Sequence, residues 1–191
     1  MTTRKLKVVA LSANSRRPSK TRALVQAIAD RYQTIAGGEV AVFDLLDVGL
    51  EFAMSTSRDT LTFQALRILE FVESADVLIV ASPVYKGAYS GHFKHFFDLI
   101  EPDRLRHKPV CLVANGGGHK HALVVELSLR PLFGFFCALT LPTAVYAGEV
   151  DFQDGVLCGP ALLERINDAA SEIAYFGALA NISDSLAMEV K

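Results

Sequence analysis

A repeated alternation constrains this chain more than any other feature. Five short apolar runs rich in β-branched residues occur at 6–11, 39–44, 76–81, 109–114 and 141–147. Each is followed, after a connection, by apolar residues at helical spacing, at 23–29, 60–74, 92–100, 121–139 and 159–179. Runs this short and this apolar read as buried strands. Strands alternating with helices build a parallel sheet through right-handed crossovers. The expected fold is therefore an α/β doubly wound sheet of five parallel strands in the order 2-1-3-4-5, with helices on both faces. At 191 residues the chain suits one domain with a substantial core, spanning 1–180. The segment 181–191 has little to hold it and is expected to be a mobile tail.

In such a sheet ligands bind at the carboxyl edge of the strands, where the strand order reverses. Three connections leave that edge. The first carries hydroxyls at Ser12, Ser15, Ser19 and Thr21 and cations at Arg16, Arg17, Lys20 and Arg22. Ser19 is placed to cap the helix that follows. Its hydroxyls and the amides at the helix start form a site for a phosphate dianion. The charge–dipole attraction is only about 0.3–1 kcal/mol, about 2 if partly buried, so hydrogen bonds must do most of the holding. No G-x-x-x-x-G-K-[ST] or G-x-G-x-x-G spacing occurs, which argues against a nucleoside triphosphatase and a dinucleotide-binding Rossmann domain.

The second connection is Ser82-Pro83-Val84-Tyr85-Lys86-Gly87-Ala88-Tyr89-Ser90-Gly91. Pro83 stiffens the strand exit, two glycines permit close backbone approach to a flat ligand, and two tyrosines offer ring faces. The third is Asn115-Gly116-Gly117-Gly118, followed by His119 and His121, where backbone amides can face a ligand unobstructed. A phosphate at one end and a flat ring system at the other describe the implied ligand. FMN has that shape.

Other features narrow the class. The net charge is −2 and charged residues are 21% of the chain, so neither a nucleic-acid coat nor a disordered chain is indicated. Arg4, Lys5, Lys7, Arg16, Arg17, Lys20 and Arg22 all precede the first acidic residue, Asp30, and such a basic edge suits a small anion. Cys111, Cys137 and Cys158 are odd in number and widely spaced, as reduced core cysteines of a cytoplasmic protein would be. No signal-peptide region or membrane span is present in the sequence. His92 and His95 share a helix face, but no second ligand pair accompanies them and no metal site is expected. Residues 45–60 make a long connection containing Phe52 and Met54, of the kind that is often functional or part of a subunit contact. The 121–139 segment is apolar almost all round, which predicts burial of one face against another copy of the chain, with Pro131 kinking or interrupting the helix.

Taken together, the segment 12–22, the run from Ser82 to Gly91 and the stretch from Ala114 to Gly118 with His121 resemble the three flavin-contacting segments of the NADPH-dependent FMN reductase family. Within that family the chain is similar to the flavin reductases of two-component monooxygenases, over most of residues 5–180. The resemblance implies a flavodoxin-like fold. It also implies that Ser12, Ser19 and Thr21, with Ser15, Arg17 and Lys20 beside them, hold the FMN phosphate. Pro83, Val84, Tyr85 and Lys86 would edge the isoalloxazine, and Asn115, Gly116, Gly117 and Gly118 would contact its pyrimidine side. Where the family commonly has a glycine-serine pair, strand one ends Leu11-Ser12-Ala13. In the alkanesulfonate-type members an inserted residue makes a π-bulge bearing an aromatic or histidine side chain; Leu127 corresponds to it here. The family is typically dimeric or tetrameric.

The activity so implied is hydride transfer from NADH or NADPH to FMN, with reduced flavin supplied to a flavin-dependent monooxygenase. The cofactor carries that chemistry, so no side-chain acid or base is assigned. A quinone or azo reductase with tightly bound FMN, a flavodoxin-like electron carrier and a nucleotide-binding structural protein remain as alternatives.

Overall fold

The computed structural model describes residues 6–189, with side chains through Leu179. The first half of the chain forms β1 (Val8–Ser12), α1 (Lys20–Ala36), β2 (Val40–Asp44), α2 (Leu45–Val48), α3 (Phe63–Glu73) and β3 (Val77–Tyr85). There follow β4 (Ala88–Tyr89), α4 (Gly91–Asp98), β5 (Pro109–Asn115), a π-helical turn (Val125–Leu129), α5 (Arg130–Phe135), β6 (Leu139–Thr140) and β7 (Val145–Ala147). A small hairpin, β8 (Phe152–Gln153) and β9 (Val156–Leu157), leads into α6 (Pro160–Glu189).

The main sheet runs β2-β1-β3-β5, and β5 pairs along its far side first with β6 and then with β7, all parallel. The predicted order 2-1-3-4-5 is thus present, with Pro142 falling between the two pieces of the fifth strand. The core shows why both faces carry helices. Alternate residues of one strand point to opposite faces, and both sets are apolar. Val8, Ala10, Ile79 and Val113 pack with Leu24, Ile28, Ile166 and Ile173 of α1 and α6. Val9, Leu11, Val80 and Leu112 pack with Leu69, Phe93, Phe97 and Phe133 of α3, α4 and α5. Each fully buried side chain of this size contributes about 1.5–3 kcal/mol.

Four expectations change in detail. The 82–91 connection is mostly ordered: β3 runs four residues past Ala81, and Val84–Tyr85 pair antiparallel with β4. Its turn is made by Lys86 and Gly87, both at positive φ (52° and 84°), the conformation of a two-residue type I′ hairpin. Residues 45–60 contain α2 and two short 3-10 turns, and Phe52 is buried while Met54 is 86% exposed. Only Cys111 is a core thiol, which burial pushes up to about 12; Cys137 and Cys158 lie on the surface. Finally, α6 continues to Glu189, so residues 181–189 are helical where a tail was expected; residues 190 and 191, and Arg4 and Lys5 of the basic cluster, lie outside the described residues.

The 121–139 segment is the most altered. The Arg130 amide donates to the Val125 carbonyl five residues back, which makes the turn a π-helix. Leu127 sits within it and is 73% exposed. Pro131 falls in the first turn of α5, where its missing amide interrupts little. Val125, Leu129, Phe133 and Phe136 face the core, whereas Leu123, Leu127 and Phe135 face outward. Among the described residues no helix is long and apolar enough to cross a membrane.

Candidate functional site

The three predicted connections meet at the carboxyl edge because register puts them there. Ser12 lies opposite Ala81 on β3 and opposite Asp44 on β2; Pro83 lies opposite Asn115, and Asn115 opposite Ala147. From this base the hydroxyl-bearing loop and the start of α1 rise at one side, and the hairpin and the glycine turn at the other.

On the first side, Ser19 caps α1, accepting from the Arg22 amide at 3.3 Å. The amides of the first turn lack acceptors within the helix by its geometry. Thr21, in that turn, is buried and donates to Asn115 Oδ1. Ser15 stands exposed on the loop. Ser12 is fully buried and donates to Asn14 Oδ1 at 2.6 Å, so its hydroxyl hydrogen already serves the loop.

Behind the loop stands a carboxylate that the sequence reading passed over as the last residue of β2. Asp44 accepts from Arg17 Nε and Nη2 at 2.8 Å each, from Asn14 Nδ2 at 3.0 Å and from the Leu46 and Asp47 amides. Arg22 Nη1 lies 3.1 Å away. Burial alone would raise the Asp44 carboxyl, but the bonds from Arg17 and Asn14, the Asp47 amide and the Arg22 charge outweigh it and hold it below its ordinary value. Asp47 adds a second carboxylate at 2.6 Å from Arg17 Nη2. Lys20 pairs with Glu149, and its ammonium lies 5.1 Å from the centre of the Phe152 ring. Arg17 and Lys20 are therefore brought to the site but are already matched by carboxylates. An acidic residue closing a strand beside an arginine-rich loop was the available signal.

On the second side, Ser82 fixes the hairpin: its buried hydroxyl donates to the Pro83 carbonyl and accepts the Ser90 amide, both at 2.9 Å. Ser90 in turn caps α4. Pro83 is buried, Val84 half-buried, and Tyr85 and Lys86 stand at the exposed tip. The glycine turn is held from below by Tyr146, whose hydroxyl donates to the Gly118 carbonyl at 2.7 Å, and by the Gly116 amide donating to Ala147. A Cβ on Gly116 would stand 2.7 Å from the Tyr146 oxygen and 3.2 Å from Val84 Cβ, whereas Gly117 and Gly118 face open space. His119 is turned away toward Asp151, 3.3 Å distant. Tyr146 was not singled out by sequence, and Ser82 was named only as the start of the 82–91 run without its bracing role, since a lone tyrosine or serine carries no pattern.

The donor set fits FMN: hydroxyls and helix amides at one end, and a half-apolar, backbone-lined surface at the other. There are two open cavities of about 570 Å³, one between the ends of α4 and α5 and one beside β2 and α3 that reaches Arg22 and Asp47. Neither is lined by the glycine turn or the hairpin. Among the described residues no group of three or more His, Cys, Asp or Glu could hold a metal ion.

A family model described as NADPH-dependent FMN reductase matches residues 6–152. The chain belongs to this family. The FMN reductase match extends through relatives of full length. The chain is 44% identical over 171 residues to the NADH-dependent FMN reductase SfnF of Pseudomonas fluorescens (strain Pf0-1), covering 90% of this chain and 91% of that one. It is 42% identical over 168 residues to an FMN reductase (NADPH) of Pseudomonas aeruginosa, covering 88% and 90%. Among solved structures, an oxidoreductase from Corynebacterium diphtheriae superposes with a TM-score of 0.77 at 30% identity, over 92% of this chain and 98% of that one. The apo form of the NADH:FMN oxidoreductase EMOB gives 0.79 at 22% identity, over 91% and 89%, a likeness of fold.

Proposed function

We propose that this protein is an NAD(P)H-dependent FMN reductase that supplies reduced flavin to a separate flavin-dependent monooxygenase. The observation that carries the reading is the meeting of the hydroxyl loop, the hairpin and the glycine turn at one sheet edge in a chain of this family. When bound, FMN supplies the chemistry of accepting a hydride.

The residues of the chain bind and orient. Ser15, Ser19 and the first-turn amides of α1 hold the phosphate, Thr21 joins them by turning its one hydroxyl hydrogen from Asn115 to the dianion, and Ser12 and Asn14 keep the loop in shape. The backbone from Pro83 to Lys86 and the amides from Asn115 to Gly118 flank the flat ring from two strands. Tyr146 and Ser82 fix those two segments from behind. None of these groups has to move a proton for hydride transfer, so rate is governed by how well the edge holds the two rings in register. Association of two or more copies through the face bearing Leu123 and Leu127 belongs to the same reading.

Steady-state oxidation of NADH and of NADPH, with and without added FMN, tests it. Turnover that rises with free FMN supports the assignment. Turnover that needs a quinone or azo dye and ignores free FMN would replace it with a quinone or azo reductase. Bound flavin that stays oxidised under anaerobic NADH and NADPH would make the protein an electron carrier.

A further inference from the structure

Four cations surround the start of α1, and carboxylates match three of them. Arg17 is held by Asp44 at 2.8 Å and by Asp47 at 2.6 Å. Arg22 lies 3.1 Å from Asp44 and 3.3 Å from Asp47. Lys20 is paired with Glu149. Of these four, Arg16, exposed on the loop, is the one without such a partner.

The three carboxylates are not equivalent. Asp44 is fully buried and satisfies a ring of donors, so the loop is built on it. The side chains of Asp47 and Glu149 are 31% and 65% exposed. Asp47 also accepts the Asp44 amide at 2.9 Å, a bond that an amide side chain could equally accept. Their negative charge is therefore not required to fill the core or to complete a buried network. What that charge does is cancel attraction: a dianion arriving at α1 meets cations already neutralised, and two further carboxylates repel it.

We propose that Asp47 and Glu149 are counter-anions that limit the affinity of the edge for the FMN phosphate, so that FMN exchanges with solution instead of being retained. This rests on the reading of the 12–21 loop as the phosphate site. Neutral hydroxyls and amides then supply recognition of the phosphate by direction, while the compensated charges keep long-range attraction small. The affinity for FMN is limited and its margin over riboflavin narrowed, while the hydroxyls and amides keep FMN the preferred flavin.

The test uses Glu149→Gln and Asp47→Asn separately in the full chain, with FMN and riboflavin titrated by fluorescence at low and high salt. Each variant is expected to bind FMN about three- to tenfold more tightly, with riboflavin within about twofold of the parent. FMN affinity should also become more sensitive to salt, and the FMN dissociation rate should fall with the dissociation constant. Glu149 lies on the surface, so its variant tests charge without a threat to folding, and Asp47 provides the independent second reading. Unchanged or weaker FMN binding in both variants overturns the proposal, and a parallel loss for FMN and riboflavin would show that the carboxylates merely brace the loop. A parent protein that binds FMN no better than riboflavin would overturn the phosphate-site reading itself, and the proposal with it.

Discussion

The Thr21 hydroxyl, in the first turn of α1, donates to the side-chain oxygen of Asn115 at the end of β5. Two residues 94 positions apart in sequence are thereby joined, and the start of α1 is coupled to the glycine turn. Thr21→Val preserves shape but removes the donor from Asn115. The expected loss is about 1–3 kcal/mol, read as a melting temperature lower by roughly 2–12 °C. Ser19→Ala combined with Thr21→Ala should weaken FMN by about ten- to a hundredfold, because bonds to a charged group are worth more than neutral ones. Riboflavin, which lacks the phosphate, should change far less, and equal losses would contradict the assignment of this loop.

The glycine turn offers a paired comparison. Gly116→Ala drives a methyl group against the Tyr146 oxygen and Val84, and crowding of this kind costs about 1–3 kcal/mol. Because Tyr146 carries the Gly118 carbonyl, the turn should shift and FMN should bind several-fold more weakly. Gly117→Ala meets open space, so its melting temperature should match the parent within error. Isothermal titration and thermal unfolding of the two variants side by side decide the matter; equal behaviour would mean that Tyr146 yields freely.

Asp44 predicts an acid limit on stability. Its carboxyl is depressed in the folded chain from an ordinary value of 3.8. Its stabilising contribution is therefore complete above that value and is lost as pH falls through the lower folded-state value. Chemical denaturation followed below about pH 4 should show stability dropping with acid, and Asp44→Asn should flatten that slope while lowering stability at neutral pH. A slope identical in the variant would assign the acid limb to other carboxylates.

The outward face of the π-helical turn predicts association. Leu123 and Leu127 are 65% and 73% exposed one turn apart, an unusual arrangement for a chain that remains alone in water. Sedimentation of the parent at micromolar concentration should show a species larger than a monomer. Leu127→Glu should raise the dissociation constant at least about tenfold, since burying an unpaired carboxylate is costly. A parent that sediments as a monomer would leave these leucines without a partner copy.

Much of this was readable in the chain. The strand runs, their order and the convergence of Ser19, Thr21, Pro83 and Asn115 follow from apolar periodicity and connection chemistry, which are local properties. The hairpin of Val84–Tyr85 with β4 was not read as strand because Lys86 at positive φ gives no glycine-like signal, and the turn depends on its partner strand. Tyr146 and Glu149 were invisible for a different reason, and the partners of Asp44 were hidden in the same way. Each acts on a residue at least 27 positions away, or on a backbone carbonyl across the sheet edge, and no spacing in the sequence records such a pairing. The division of the 121–139 segment depends on a single amide choosing a carbonyl five residues back, with Leu129 and Phe133 buried on its inner face.

The strands do not end level. β1 and β2 stop at Ser12 and Asp44, opposite Ala81, whereas β3 and β5 pair onward through Pro83 and Asn115. At about 3.3 Å per residue the sheet edge is a terrace with a riser of roughly 7 Å. The lower tread carries hydroxyls and a helix start; the riser carries proline, valine and bare backbone. A molecule with one charged end and one flat end can rest on such a step in only one sense, so the ragged ending of four strands gives the edge a handedness that no individual side chain supplies.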